Sequence, residues 1–191
     1  NHPRLASLNW NAANEGEMEN HASNYPKFAA MIATSTIVMF GLMYLNTYAP
    51  GHVWFSETRL YMALLMGATM AIIMLGFMLN MYRNTRINIA IVAASLVAFA
   101  GSLWLVRSQE TIDDIAWMKA MIPHHSIAIL TSERAHIRDP RVRELADGII
   151  EAQVREIGEM EQLISDLERN PTPAGAPDLP ARSAAAVPAA K

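Results

Sequence analysis

Cysteine is missing from the whole chain, which excludes disulfides, thiolate metal sites and thiol catalysis. Charge is scarce as well. Only 17% of the 191 residues are Asp, Glu, Lys or Arg, and none of them falls within Phe28–Tyr48, Leu60–Tyr82 or Ile87–Val106. The net charge of -3 comes without a basic stripe, so no nucleic-acid footprint is offered. Nor do a nucleophile, a base and an orienting group fall at spacings that converge. Ser126 follows His125, but adjacent helical residues point about 100° apart, so no enzyme is expected.

What fills the chain instead is apolar: 52% of residues, gathered in the three charge-free runs. Each run is close to the roughly 20 helical residues that cross a hydrocarbon core of about 30 Å. Nothing in them alternates as a barrel strand does, and backbone in lipid must satisfy its own hydrogen bonds, so the three runs predict membrane helices in a lipid bilayer. More than twenty polar residues precede the first run and no Ala-rich cleavage chemistry follows it, so it reads as a retained span rather than a leader. Tyr44, Tyr48, Trp54, Phe55 and Tyr61 bracket the loop after the first run, and Trp104 sits near the third exit, where interfacial anchors belong.

Orientation follows from Lys and Arg in the short loops. The stretch Asn46–Thr58 has none, whereas Arg83 and Arg86 lie in the tight connection between the second and third runs, and Lys27 flanks the first. Arg59 and Arg107 point the other way, but both can snorkel from helix ends. The expected topology has a cytoplasmic N-terminus and a periplasmic C-terminal part, in a bacterial inner membrane.

The chain therefore divides into a polar N-terminal arm (1–26), a three-helix transmembrane region (27–107), an extracytoplasmic helical hairpin (108–169) and a Pro- and Ala-rich tail (170–191). Arm and tail lack apolar periodicity and are expected to carry no fold of their own. The fold class is all-α: three transmembrane helices followed by an extramembrane antiparallel hairpin. Its turn is marked by Asp139, a plausible N-cap, and Pro140, suited to the first helical position.

On helical wheels Asp114, Met118, Met121, His125, Ile129, Ser132 and His136 share one face of the first hairpin helix. Val142, Ile149, Gln153, Met160, Ile164 and Leu167 share a face of the second, with Glu156 at its edge. Turning near Asp139 sets Met118 opposite Met160 and His125 opposite Gln153. Thioether and imidazole together are ligands for copper, the soft sulfur favouring Cu(I). Met118 and His125 stand about 10 Å apart, two turns along the helix, too far to share one ion. The sharper sets are Met121 with His125, or Met118, Met121 and Met160 across the hairpin. Met also fills gaps in helix packing, so spacing alone leaves both readings open. Pro123 is expected to bend the helix and open its surface beside His124 and His125. His52 has no periodic partner, and His136 is expected to cap the helix end.

The run Trp117-Met118-Lys119-Ala120-Met121-Ile122-Pro123-His124-His125-Ser126-Ile127-Ala128-Ile129, with Asp139-Pro140, Ile149-Ile150, Ala152-Gln153, Glu156-Ile157 and Met160 downstream, resembles the family called domain of unknown function 305. The preceding spans resemble its membrane-anchored branch. The resemblance implies a ferritin-like helical fold and an association with periplasmic copper binding or tolerance. Carried onto matching positions, it implies Met118, Met121, His124, His125 and Met160 as metal-associated residues. Many members are longer and Met-richer; here Leu130 and Thr131 stand where another Met is frequent, which argues against high-capacity storage. A single hairpin does not close a four-helix bundle, so a homo-oligomer or a larger membrane protein complex is expected.

In the second run Met62, Met66, Met70, Met74 and Met78 recur every four residues. No intramembrane charge or His accompanies them, and adaptable helix packing is the favoured reading over a sulfur-lined route. Two functions follow: a membrane-anchored copper-binding protein for extracytoplasmic copper capture, handling or tolerance, or a structural accessory subunit of a larger respiratory or photosynthetic complex.

Overall fold

A computed structural model describes residues 24–183. The predicted arm, up to residue 23, and the end of the predicted tail lie outside the described residues. Within them the fold is all-α, with no strand: α1 (Asn24–Leu42), α2 (Glu57–Phe77), α3 (Thr85–Ser108), α4 (Asp114–Arg134) and α5 (Pro140–Arg169), plus a single 3-10 turn at Pro50–His52.

α1, α2 and α3 are long and apolar enough to cross a membrane. Only α2 has a substantial buried share, 28% of its apolar window against 6% and 11% for α1 and α3. The remaining apolar surface is suited to lipid or to further helices. α2 packs against both neighbours through a seam of small residues, Ala63, Gly67, Ala68 and Ala71, closed by Leu75. Small side chains let helix backbones approach closely where water supplies no driving force. Met66, Met70, Met74 and Met78 are only half-buried, and Met74 and Met78 pack on the cluster of Phe28, Ala71, Leu75 and Tyr82.

The first apolar run extends to Tyr48, yet α1 ends at Leu42. Tertiary partners explain the early stop. The Arg59 guanidinium donates to the Met43 carbonyl and lies 4.4 Å from the centre of the Tyr44 ring. The Tyr44 hydroxyl accepts from the Ser56 amide at 3.0 Å. Ser56 in turn caps α2, its buried hydroxyl accepting from the Arg59 amide at 3.2 Å, which sets the helix start three residues before the apolar run. At the opposite end, Asn84 caps α3 and the Tyr25 hydroxyl bonds Asn88 at 2.9 Å, tying α1 to α3.

α3 stops where Gln109 takes a left-handed conformation, φ 56°. Asp113 then caps α4, accepting from the Ala116 amide at 2.7 Å. Asp139 caps α5 with Pro140 at its first turn, as the sequence predicts. Arg141 bonds the Asp139 carboxyl and holds it below its ordinary value of 3.8. The charged cap is therefore in place above that value and is lost as pH falls through the lower, folded-state one. α4 and α5 pack side by side in opposite directions. Lys119 pairs with Glu168 at 3.0 Å, His125 with Glu156 at 2.7 Å, and Arg143 donates to the Ser132 carbonyl at 2.9 Å. That last bond covers the end of α4, the role expected of His136, which instead stands exposed beyond the helix.

Candidate metal centre

The α4–α5 contact closes over one buried cluster: Met118, Ile122 and Ile129 from α4 with Ile157, Met160 and Ile164 from α5. The spacing of three and four along each helix brings these side chains to one seam. Met118 and Met160 are 4% and 6% exposed, and Met121 packs on the cluster from its edge. Three of the five residues singled out from the sequence thus meet in a dry thioether-and-isoleucine cluster.

His125 is also buried, but it faces Glu156 rather than Gln153, so its pairing is displaced by about a turn from the simple antiparallel register. Its Nδ1 lies 3.0 Å from the Met121 carbonyl and its Nε2 lies 2.7 Å from Glu156 Oε2. A carbonyl can only accept, so Nδ1 carries the hydrogen and the ring is held in one orientation. This is the arrangement by which proteins aim an imidazole at a metal, with Nε2 as the ligand atom. Here Nε2 faces the Glu156 carboxyl, and an ion bound at Nε2 would take the place of that contact. Sequence reasoning left Glu156 at the margin of its helix face; its signal was its place one turn before Met160. His124 is exposed, its ring centre 6.2 Å from that of His125, and it stands outside the cluster.

The wheel faces are buried at Met118, His125 and Ile129 on α4 and at Met160 and Ile164 on α5, but burial reaches beyond them and fails at their ends. Ile122, Pro123 and Ser126 are buried on α4, and Ala146 and Ile157 on α5, whereas Asp114, His136 and Val142 are exposed. On α4 the cause is a second covering surface, the loop between α1 and α2. The Tyr48 amide donates to Ser126 Oγ at 2.7 Å, and His52 Nδ1 lies 2.9 Å from the same oxygen. The Glu133 carboxylate beside the Tyr48 hydroxyl raises that phenol above its ordinary value. Further along, Trp54 packs on the methionine cluster, and the Tyr61 hydroxyl meets Thr111 Oγ1 at 2.9 Å. His52 therefore has a partner, in Ser126, and Trp54 is more than an interfacial anchor. Pro123 does not open the surface it was expected to open: it is fully buried, and the helix continues through it to Arg134.

Chemically, the cluster offers soft thioether sulfur and no charged oxygen. Among the described residues no group of three or more His, Asp or Glu is placed to hold a metal ion, so a hard or divalent ion has no charged cage. Thioethers in an apolar setting, with one oriented imidazole nearby, are the donor set that Cu(I) accepts.

Comparison with known proteins places this geometry in context. The model of the family described as Domain of unknown function (DUF305) matches residues 114–189, which include both α4 and α5. A curated relative, Uncharacterized protein L153 of Acanthamoeba polyphaga mimivirus, is 30% identical over 144 residues, covering 72% of this chain and 93% of its own length. A continuous match of that coverage in a 191-residue chain takes in α2, α3 and α4 wherever it begins, so the likeness extends to apolar helices as well as to α4. No solved structure matches the chain. With the domain model resting on the two helices that build the centre, and a relative aligned along nearly its whole length, the chain belongs to the DUF305 family.

Proposed function

We propose that this protein is a membrane-anchored copper-binding protein that captures or hands on Cu(I) outside the cytoplasm. The observation that carries the reading is the meeting of Met118, Met121 and Met160 at one buried seam beside an imidazole fixed by its Nδ1 hydrogen bond. Copper is cargo in this reading: the thioethers would hold it, and His125 would give up its contact with Glu156 to join them. His124, exposed at the surface, is suited to first contact with an arriving ion.

In the same reading α1, α2 and α3 span the bilayer, and α4 and α5 form a hairpin on the extracytoplasmic side, the periplasmic face of the inner membrane in a bacterium. Contact of the α1–α2 loop with α4 supports a shared side for the two, as three spans require. Arg59, which argued against this orientation by charge, is engaged by Met43 and Tyr44. The absence of native cysteine makes the test clean. A single cysteine introduced by Gly175→Cys should react with a membrane-impermeant maleimide in intact cells, and protection until lysis would reverse the topology.

Cu(I) titration of the purified protein in detergent tests the copper reading. Wild type should bind stoichiometrically. Met118→Leu with Met160→Leu should abolish binding while keeping helicity, since these swaps conserve volume and usually cost under about 1.5 kcal/mol each. Met121→Leu with His125→Gln should also lose copper. A wild-type protein that takes up none overturns the reading. A second reading, a subunit of a larger assembly, is favoured by Leu145, Val154 and Leu163 on α5, each more than half exposed. Survival of such an assembly in the copper-free variants would separate the two roles.

A further inference from the structure

We infer that the indole of Trp54 is part of the soft-metal centre, forming a π wall against a cation held by the methionines. This rests on the copper reading above and adds a residue that lies outside the family-matched region, in the loop between α1 and α2.

Three observations converge. Trp54 packs on the cluster that contains Met118 and Met160, with Met121 at its edge. Its ring already faces a positive charge, the Lys119 ammonium 5.6 Å from the ring centre. That ammonium is itself held by Glu168 at 3.0 Å, so the indole lies where its quadrupole attracts cations. Third, Trp54 Nε1 is buried with no hydrogen-bond acceptor among the described residues. An unpaired buried N–H is destabilising, and a phenylalanine would give similar packing without it. What an indole offers beyond phenylalanine is the strongest π face among the side chains, which gives this position a reason to carry the orphan donor.

The placement is not left to a wandering loop. Residues on either side of Trp54 are fastened: Tyr48 and His52 to Ser126, and Ser56 to Tyr44 and Arg59. Thioethers satisfy Cu(I) as σ donors with little charge of their own, and a π face adds electrostatic stabilisation for a monovalent cation that has shed its water. The same wall excludes solvent from the ion, which disfavours oxidation to the strongly hydrated divalent state.

The test uses the full chain in detergent, with Trp10, Trp104 and Trp117 changed to Phe so that emission reports Trp54 alone. Ag(I), a redox-stable soft monovalent ion, and Cu(I) under anaerobic conditions are the probes. Metal uptake is measured independently by mass spectrometry. Stoichiometric uptake should quench and shift the Trp54 emission. In the otherwise native chain, Trp54→Phe, which keeps a weaker π face, should weaken Ag(I) affinity by roughly fivefold, a fraction of a full desolvated cation–π contact, with helicity and the Tyr61–Thr111 region unchanged by hydrogen exchange. Trp54→Leu, which keeps an apolar plug without a ring, should weaken it at least as much. Uptake with unchanged emission and full affinity in both variants overturns the role of Trp54 while leaving the methionine site standing. No uptake by wild type overturns both.

Discussion

Ile122→Ala is expected to open the α4–α5 pair while α1, α2 and α3 stay folded. Ile122 is fully buried, 0% exposed, in a cluster of only six buried residues. Truncating a buried isoleucine costs about 2–5 kcal/mol, because transfer energy is lost and the cavity collapses only in part. A helix pair of this length holds about 3–8 kcal/mol at typical per-residue stabilities, so one truncation removes much of it. The apolar helices keep their own cluster around Phe28, Leu75 and Tyr82, which shares no residue with the first. Hydrogen exchange on the full chain in detergent should therefore show protection lost across 114–169 and retained across 57–108. Leu145→Ala, at a position 66% exposed, should change little. Full protection in Ile122→Ala would mean that the pair draws its stability from the loop beneath it rather than from its own seam.

Gly67→Ala should loosen α1 from α2, and Thr36→Ala in the same chain should restore the contact. A Cβ at Gly67 collides with Thr36 Oγ1 and comes within 3.2 Å of its Cγ2, but stands at 3.4 Å from its Cβ. The hydroxyl cannot swing away freely, since it bonds the Ile32 carbonyl at 2.8 Å. Overpacking of this kind costs about 1–3 kcal/mol. Removing Oγ1 and Cγ2 leaves the one contact that is ordinary van der Waals distance. Thermal unfolding in detergent should fall for Gly67→Ala and recover for the double variant, a coupling visible in a double-mutant cycle. Additive losses would place the clash elsewhere.

The legible parts of this protein were those written in local periodicity. Charge-free runs located α1, α2 and α3, and the Asp139-Pro140 pair located the start of α5 to the residue, because a cap is a local hydrogen bond. Antiparallel counting set Met118 and Met160 on facing sides of the seam, and both are buried in its cluster. What escaped was everything that joins a loop to a helix. Ser126 is separated from Tyr48 and His52 by more than seventy positions, and neither side of that contact has a period to announce it. Those contacts widened the buried face of α4 toward Pro123 and Ser126, while Asp114 and His136 are exposed because one begins the helix and the other lies past its end. Likewise, α1 was read too long because Arg59, just before the second apolar run and 16 positions away, takes the Met43 carbonyl from across a loop. Glu156 escaped for a different reason: the helices pair His125 about a turn away from the position that simple counting gives.

The fastening of the α1–α2 loop along α4 also fixes the mechanics of the α4–α5 pair. Only the five residues after Ser108 separate α3 from α4, a tether of about 17 Å at full stretch, and even that slack is taken up by Thr111, Ser126 and the Trp54 contact. On the copper reading proposed above, the helix pair would be a mounted receptacle, not a bait on a line. It would sweep no volume, so a molecule exchanging copper with it would have to bring both its position and its orientation to a stationary target, and the encounter rate would belong to the visitor's approach.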